Sequence, residues 1–288
     1  MERDKSKLKL AADHISYEYD KSGANSHKAL DDVSFEIYEG EFVGLIGHTG
    51  SGKSTLMQQL NALLKPDSGT VWYDGQDVYE KGYDRKELRR RVGLVFQYPE
   101  HQLFEDTVFN EVCFGPKNFG MDKKQSELSA YAAIKKVGLP DECFYHSPFD
   151  LSGGQKRRVA IASVLAVKPE ILIMDEPTAG LDPKGREELM EMILSLKESE
   201  GLSIVMVSHS MEDVAKLADR IVVMDKGHIV YDDEPKKVFA HYKELEEMGL
   251  AAPQMMYVMQ DLKAAGFDVR TDVTTIEEAK EEILRIVT

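Results

Sequence analysis

The sequence predicts an α/β fold around a mainly parallel sheet, and three stretches of the chain lead to this prediction. In each, a short apolar run typical of a buried parallel strand ends in residues that can bind or transform a ligand. A glycine-rich loop at residues 47–55 follows the first run, Asp175 and Glu176 follow the second, and Ser208 and His209 follow the third. Because open α/β sheets hold ligands beyond the carboxyl ends of their strands, we expect these stretches to form one ligand site.

The glycine-rich loop is the most specific of the three stretches. It fits the phosphate-binding pattern G-x-x-x-x-G-K-[ST], with a strand before it and apolar residues at helical spacing from Leu56 to Leu64 after it. Lys53 can reach the β- and γ-phosphates, and the Ser54 hydroxyl can hold Mg²⁺. A turn that merely starts a helix is the weaker alternative. The residues predicted to bind nucleotide here are Gly47, His48, Thr49, Gly50, Ser51, Gly52, Lys53, Ser54 and Thr55.

Candidate catalytic residues follow the other strands. Asp175 suits an Mg²⁺ contact, and Glu176 could accept a proton from water that attacks the γ-phosphate. His209 ends a core strand and is a candidate γ-phosphate sensor, although a lone histidine is more often structural. Gln97 ends the strand at residues 92–96 and lies where such sheets place ligands. The segment Ser152-Gly153-Gly154-Gln155 opens a helix and forms either an anion site or a simple N-cap.

Composition is that of a soluble globular protein. Of the 288 residues, 42% are hydrophobic and 30% are charged, and no apolar stretch approaches the ~18 residues of a membrane span. The N-terminus has no apolar signal core, so we expect no secretion. A net charge of −15 argues against broad nucleic-acid binding, which needs a basic face. We expect Cys113 and Cys143 to be small buried residues of a cytosolic protein.

Two subdomains are predicted beside the core. Residues 8–19 and the hairpin near residues 70–75 indicate an antiparallel β subdomain. From residue 98 to about 164, helical stretches alternate with proline-containing loops, which indicates an inserted helical subdomain. We therefore expect a nucleotide-binding domain over residues 1–235 and a helical extension over residues 236–288.

The extension is predicted to serve packing or dimerisation rather than chemistry. Pro235 and Pro253 lie at expected helix starts, and Thr275 with Glu278 predicts a capping box. The last helix is predicted to present one apolar face, formed by Ile276, Ala279, Ile283 and Val287.

The ordered set of motifs resembles the nucleotide-binding subunit of an ABC transporter, over roughly residues 8 to 235. The resemblance implies an ABC ATPase domain with a RecA-like P-loop NTPase core that binds ATP and Mg²⁺. It implies that Gln97 links Mg²⁺ and water to a transmembrane partner, and that His209 is the switch histidine. Asp182 would cross a subunit interface, and Tyr19, whose spacing fits an ordinary strand aromatic equally well, would stack on adenine. The γ-phosphate held by the other subunit would be bound by Ser152, Gly153 and Gly154.

A narrower match runs from Gly93 through Gln97 to Phe104, and continues to Pro116. It is similar to the ATPase subunits of energy-coupling factor transporters, which take up vitamins or transition-metal ions such as cobalt and nickel. Members work as paired ATPases, often two different paralogues, on the cytoplasmic face of the cell membrane. The pair docks on a transmembrane coupling subunit, and another membrane subunit binds the substrate. The stretch from Ser208 to Glu212 and the helical tail are most similar to the second of the paired ATPases.

Two other functions compete with transport. A soluble ABC-type ATPase of DNA repair, chromosome maintenance or translation usually adds a long coiled coil, a zinc insertion or a second cassette, and the sequence contains none of these. A regulatory module without turnover is disfavoured because both Glu176 and His209 are intact.

Residues 98–112 are a candidate docking surface for the coupling subunit. Leu103, Phe104 and Val108 lie among acidic residues, as in a groove for a helix that is apolar on one face and basic elsewhere. The alternative is an amphipathic segment that faces the core.

Overall fold

Two sheets surrounded by helices make up the computed structural model, which describes residues 4–21 and 26–287. The strands are β1 (Leu8–Tyr19), β2 (His27–Tyr38), β3 (Phe42–Gly47), β4 (Ser68–Tyr73), β5 (Gln76–Asp77), β6 (Val92–Val95), β7 (Ile171–Asp175), β8 (Ser203–Val207), β9 (Arg220–Asp225) and β10 (His228–Asp233). The α-helices are α1 (Lys53–Leu60), α2 (Arg85–Arg91), α3 (Val108–Asn118), α4 (Lys123–Lys136), α5 (Gly153–Leu165), α6 (Pro183–Glu200), α7 (Met211–Leu217), α8 (Pro235–Phe239), α9 (Tyr242–Glu247), α10 (Gln254–Ala264) and α11 (Ile276–Val287).

The larger sheet has the strand order β10-β9-β3-β8-β7-β6. Strands β9, β3, β8, β7 and β6 are parallel, and β10 pairs with β9 in the antiparallel direction at the edge. The strand before the glycine-rich loop, β3, is therefore central, and the carboxyl ends of β3, β8, β7 and β6 share one edge. The predicted α/β fold is confirmed.

Both faces of this sheet are covered, which explains why its strands are apolar throughout. In β8, Ile204 and Met206 face the cluster formed with the helices, while Val205 and Val207 face the second sheet. The alternation repeats in β7, where Leu172 faces the helices. The alternation of side chains along these strands therefore contributes to two hydrophobic cores, one on each face of the large sheet.

The smaller sheet is antiparallel, in the order β2-β1-β4-β5, and packs over β3 and α1. Strand β1 spans the predicted residues 8–19. Strand β2 pairs with β1 from Tyr38 opposite Leu8 to His27 opposite Tyr19. Residues 22–25, between β1 and β2, lie outside the described residues.

The helix after the glycine-rich loop ends earlier than predicted. The spacing of apolar residues favoured a helix to Leu64, but α1 ends at Leu60, and Leu63 is 46% exposed. Ala62 adopts a left-handed conformation with φ +54°, and the N–H of Leu63 donates back to the carbonyl of Gln58 at 2.8 Å. This is a helix-ending motif that usually carries glycine at the left-handed position, and the alanine concealed it.

Residues 98–165 are mainly helical and contain α3, α4 and α5, with one short 3₁₀ turn before α3 and two between α4 and α5. Two of the three apolar residues named for the candidate docking surface at residues 98–112 are buried, and docking there stays a prediction. Leu103 and Val108 are buried in the core, and buried Glu111 accepts hydrogen bonds from the N–H groups of Phe104 and Glu105, both at 2.9 Å. Within residues 98–112, Phe104, at 56% exposure, and Tyr98, at 41%, present large side chains to the surface.

The C-terminal residues form helices α8 to α11. Residues of α8 and α9, together with Met256 of α10, join the core beside the large sheet, whereas Met259 of α10 and Ala279 of α11 share a small separate cluster. The division at residue 235 stays a prediction. In the described ranges no helix has the length and apolarity to cross a bilayer.

Two details of the last helix differ from the prediction. Ile276 and Val287 are each 67% exposed, because the buried face of α11 runs through Ala279 and the ion-paired Glu282 instead. Only one of the two hydrogen bonds of the predicted capping box forms. Thr275 accepts from the N–H of Glu278, but the Glu278 carboxylate turns to the N–H of Thr274.

Candidate functional site

The carboxyl edge of the large sheet brings most of the predicted site residues into one cleft of about 310 Å³. The glycine-rich loop follows β3, Gln97 follows β6, Glu176 follows β7 and His209 follows β8. The aligned carboxyl ends of these parallel strands therefore bring side chains that are far apart in sequence into the same cleft. The predicted residues that line this cleft are Tyr19, Thr49, Gly50, Gly52, Lys53, Ser54, Thr55, Gln97, Asp175, Glu176 and His209.

The glycine-rich loop is a tight cradle around the Lys53 ammonium. This group donates to the carbonyl oxygens of Gly47 at 2.7 Å and of His48 at 2.9 Å, and it is 7% exposed. Burial lowers the pKa of Lys53, and the carboxylates at Asp175 and Glu176 only partly offset this. Gly47 and Gly52 are irreplaceable here, because a Cβ on either would lie 2.4 Å from a backbone oxygen. A backbone this close to its neighbours, at the N-terminus of α1, suits a phosphate group.

The side-chain oxygens of Ser54, at the start of α1, and of Asp175, at the end of β7, lie next to each other. The Ser54 hydroxyl donates to Asp175 Oδ2 at 3.1 Å. Burial raises the pKa of the Asp175 carboxyl, and the hydrogen bond from Ser54 works against that rise. A hydroxyl and a carboxylate beside a phosphate cradle are the ligands with which proteins hold Mg²⁺, so the residues present fit this ion.

Glu176 lies between two polar side chains from neighbouring strands. Its Oε2 accepts from Gln97 Nε2 at 2.8 Å, and its Oε1 lies 2.9 Å from His209 Nε2. The backbone of Glu176 is left-handed, with φ +47°, which costs a non-glycine residue about 1–3 kcal/mol and persists only where neighbours hold it. The N–H of Glu176 donates to Val207 O at 3.0 Å, and this hydrogen bond helps to fix the left-handed conformation.

Tyr19 lies at the outer end of this cleft, at the end of β1. Its hydroxyl is 3.3 Å from the Thr55 hydroxyl, and its ring meets Tyr17 edge to face. At 39% exposure, the ring has an open face. Stacking on adenine stays a prediction.

Five further predicted residues line a second cleft, of about 440 Å³. It contains Gly153, Gly154 and Gln155 at the start of α5, together with Ser152 and Asp182. Ser152 and Gln155 cap each other, and Asp182 accepts from the N–H of Gly185 at 3.2 Å at the start of α6. These residues do not line the first cleft, as expected if they serve a second subunit.

Two residues near the site were missed by sequence reasoning. Asp225, at the end of β9, lies 2.9 Å from His48 Nε2 and braces the glycine-rich loop. Arg157 on α5 is 1% exposed and joins Glu100 to the segment after Glu176. Its position four residues before Ile161, on the buried face of a helix, was a signal, because charged residues are rarely buried without partners.

Comparison with known proteins identifies the family. Residues 30–179 match the family model of the ABC transporter, and residues 146–213 match a model described as an AAA domain, putative AbiEii toxin, Type IV TA system. The energy-coupling factor transporter ATP-binding protein EcfA2 of Clostridium tetani is 50% identical over 280 residues, which cover 97% of this chain and 97% of that protein. The chain belongs to the energy-coupling factor transporter ATP-binding proteins. The EcfA2 protein of Listeria monocytogenes is 46% identical, over 96% of this chain and 97% of its own.

Solved structures of ATP-binding cassettes have the same fold as this energy-coupling factor family member. The structure of cbiO1 from Clostridium perfringens, described as part of the ABC transporter complex cbiONQ, has a TM-score of 0.74 and 33% identity and covers 88% of this chain and 99% of that chain. The cassette MJ0796, solved as a dimer bound to ADP and Pi, has a TM-score of 0.69 and 31% identity over 78% of this chain and 98% of its own. The P-loop NTPase fold, the family resemblance and the ATPase class are thereby confirmed, and so is the likeness to the second paired ATPase, since the relatives share the name EcfA2.

Proposed function

We propose that this chain is the ATP-hydrolysing subunit that powers uptake by an energy-coupling factor transporter, with vitamins or cobalt and nickel ions as the transported class. The observation that carries the proposal is the meeting of Lys53, Glu176 and His209 at one sheet edge, in a chain half identical to such ATP-binding proteins. The family supplies the transport function, and the cleft supplies the groups that hydrolysis needs.

The chain's own residues divide the work between binding and proton transfer. Lys53 and the backbone N–H groups of the glycine-rich loop bind the phosphates. Ser54, Asp175 and Gln97 would hold Mg²⁺, which would neutralise phosphate charge when bound. Glu176 accepts the proton of the attacking water. His209 contacts the γ-phosphate and reports its presence to the end of β8.

Hydrolysis takes place between two subunits in this proposal. Ser152, Gly153 and Gly154 face outward at the N-terminus of α5 and complete the site of a partner ATPase, while Asp182 crosses to it. The partner is a different paralogue, as is common in this family. Closing the pair requires ATP, because the phosphate fills the gap between a P-loop and the opposite helix N-terminus.

The proposed partners also include a transmembrane coupling subunit and a separate membrane subunit that binds the substrate. The chain would lie peripherally on the cytoplasmic face of the cell membrane. Its net charge of −15 disfavours nucleic acid as a partner.

ATP turnover and companion proteins test this function together. The full chain purified with its membrane companions should hydrolyse ATP, and Lys53→Ala should abolish turnover, because a cation is lost where phosphate charge must be balanced. Absence of wild-type turnover, or full turnover in Lys53→Ala, would reject the site. Co-purification with nucleic acid in place of membrane proteins would favour the soluble ABC-type ATPase of DNA repair or translation.

A further inference from the structure

The guanidinium of Arg157 joins three segments that surround the site. Its Nε and Nη2 donate to the Glu100 carboxylate at 3.1 and 2.6 Å, and its Nη1 donates to the carbonyl oxygens of Pro177 at 2.9 Å and Ala179 at 2.6 Å. Four of its five N–H donors are used in this way. The ring of Tyr98 lies over the same guanidinium, 6.0 Å from its Cζ atom.

Each of these segments carries a group predicted to contact ATP. Glu100 follows Gln97 by three residues, and Pro177 directly follows Glu176. The N–H of Ala179 donates to Glu176 O at 3.1 Å, so a contact that fixes the position of Ala179 also fixes the turn that follows Glu176. Arg157 itself lies in the second turn of α5, which starts at Ser152.

The hydrogen bonds of Arg157 to Glu100, Pro177 and Ala179 form what we name the Arg157 bracket, which is rigid and charged. Arg157 and Glu100 are 2% and 14% exposed at their side chains, and the planar guanidinium fixes both distance and orientation in a way that an ammonium cannot. Burial raises the pKa of Glu100, but the hydrogen bonds from Arg157 outweigh it and hold that pKa below its usual range. Tyr98 adopts a left-handed backbone, φ +52°, next to Gln97, which indicates that this loop is held against local strain.

We propose that Arg157 is a positioning residue that makes the Gln97 loop, the turn after Glu176 and the N-terminus of α5 move as one body. This inference rests on the function proposed above. Through Arg157, the hydrolytic groups of one composite site and the Ser152 face of the other keep a fixed relation as the ATPase pair closes. Arg157 touches no phosphate and acts only through the segments that it joins.

The experiment compares two buried arginines in the full chain with its companion subunits. Arg157→Lys keeps the charge but loses the fork, so kcat should fall about 10-fold or more, while ATP affinity, which the P-loop sets, stays within about threefold. The matched control is Arg220→Lys at the opposite edge of the sheet, where Arg220 is 4% exposed and donates to Glu41 at 2.6 and 3.0 Å. That variant should lower the Tm and leave kcat per folded molecule unchanged.

The non-additivity of substitutions at Arg157 and Glu100 provides a second readout. Glu100→Gln releases the Gln97 loop but leaves the bonds to Pro177 and Ala179, so it should lower kcat less than Arg157→Lys. The double variant should be no worse than Arg157→Lys alone, because both changes break one bracket. Glu100→Gln also serves if Arg157→Lys does not fold.

Three results would overturn the positioning role. They are wild-type kcat in Arg157→Lys, a loss no larger than the loss of folded protein, or effects of the two substitutions that simply multiply. Failure of the underlying function would look different, since the wild-type chain itself would then lack turnover that Lys53→Ala removes.

Discussion

The carboxylate of Glu176 accepts a hydrogen bond from Gln97 at 2.8 Å while its other oxygen lies 2.9 Å from His209. The three residues follow β7, β6 and β8, which are neighbours in the sheet. A carboxylate offers about four lone-pair positions, so these two contacts leave capacity for a water molecule. The arrangement therefore suits the general base proposed at Glu176, because it orients the carboxylate and leaves room for a water molecule to bind.

Glu176→Gln should slow hydrolysis by about 10²-fold or more, because the amide cannot accept the proton of the attacking water. ATP binding should be retained, since Lys53 and the glycine-rich loop are unchanged. The measurements are single-turnover hydrolysis and nucleotide titration. Glu198→Gln, an exposed change on α6, is the control. A variant that hydrolyses at the wild-type rate would remove Glu176 from this role.

Asp175→Asn should stabilise the protein at neutral pH. The folded state raises the pKa of Asp175 above its ordinary value of 3.8, so the folded chain binds this proton more tightly than the unfolded chain does. Ionisation of Asp175 therefore destabilises the fold above the raised pKa, and Asn removes that cost while still accepting from Ser54. The gain in Tm should be present at pH 7 and vanish below pH 3.8.

The same substitution should lower turnover about 10²-fold, the range for losing one charged group at a reacting phosphate. Tm across pH and ATPase rate are the two measurements, and Asp20→Asn, exposed at the end of β1, is the control. A lower Tm at pH 7 would show that the Asp175 carboxylate contributes stability that its burial does not suggest.

Most of the fold and the first cleft could be predicted because strand periodicity and strand-end motifs are local. The positions of Gln97, Asp175 and His209 follow from where apolar runs stop, and parallel strands align those stops at one edge. What failed depended on contacts across the chain. The spacing at residues 103–108 favoured a surface strip over a buried segment, and only the packing of α3 against α5 shows that Leu103 and Val108 are buried.

Arg157 illustrates the same limit. Among three basic residues in succession, Lys156, Arg157 and Arg158, the spacing from Ile161 indicates that Arg157 is the buried one, but it does not identify a partner for the buried charge. That partner is Glu100, which lies 57 positions earlier in the sequence. Likewise, the early end of α1 depends on a left-handed alanine, which residue preference disfavours.

Mixing two inactive variants should restore turnover if sites form head to tail between copies of this chain. Lys53→Ala removes the phosphate-binding cation of the P-loop, and Ser152→Arg places a long side chain in the second cleft, which is proposed to face the partner. A mixed dimer has one site built from the intact P-loop of one chain and the intact α5 N-terminus of the other. Because the proposed partner is a different paralogue, mixing should restore no turnover, although each variant should lower turnover in the complete transporter. Turnover that appears on mixing would show instead that two copies of this chain pair head to tail.

The last prediction concerns the surface beside Phe104. The rings of Phe104 and Phe114 meet edge to face at 4.8 Å, and both are exposed, at 56% and 39%. An exposed aromatic pair next to Glu105 and Asp106 suits a partner helix that is apolar on one face and basic elsewhere. The backbone here is braced by Glu111, so side-chain changes at the surface should leave the fold intact.

Glu105→Lys with Asp106→Lys should therefore weaken assembly with the membrane subunits and leave ATP affinity largely unchanged, because like charges would oppose a basic helix. Pull-down of the membrane subunits and nucleotide titration measure the two effects. Glu191→Lys with Glu198→Lys, on the exposed side of α6, reverses the same charge away from Phe104 and should assemble normally. Salt provides a further test, since the wild-type complex should lose affinity as ionic strength rises and the variant should be less sensitive. Normal assembly of the double variant, or equal weakening in the α6 control, would place the docking surface elsewhere; lost ATP binding would instead mean that these carboxylates support the fold.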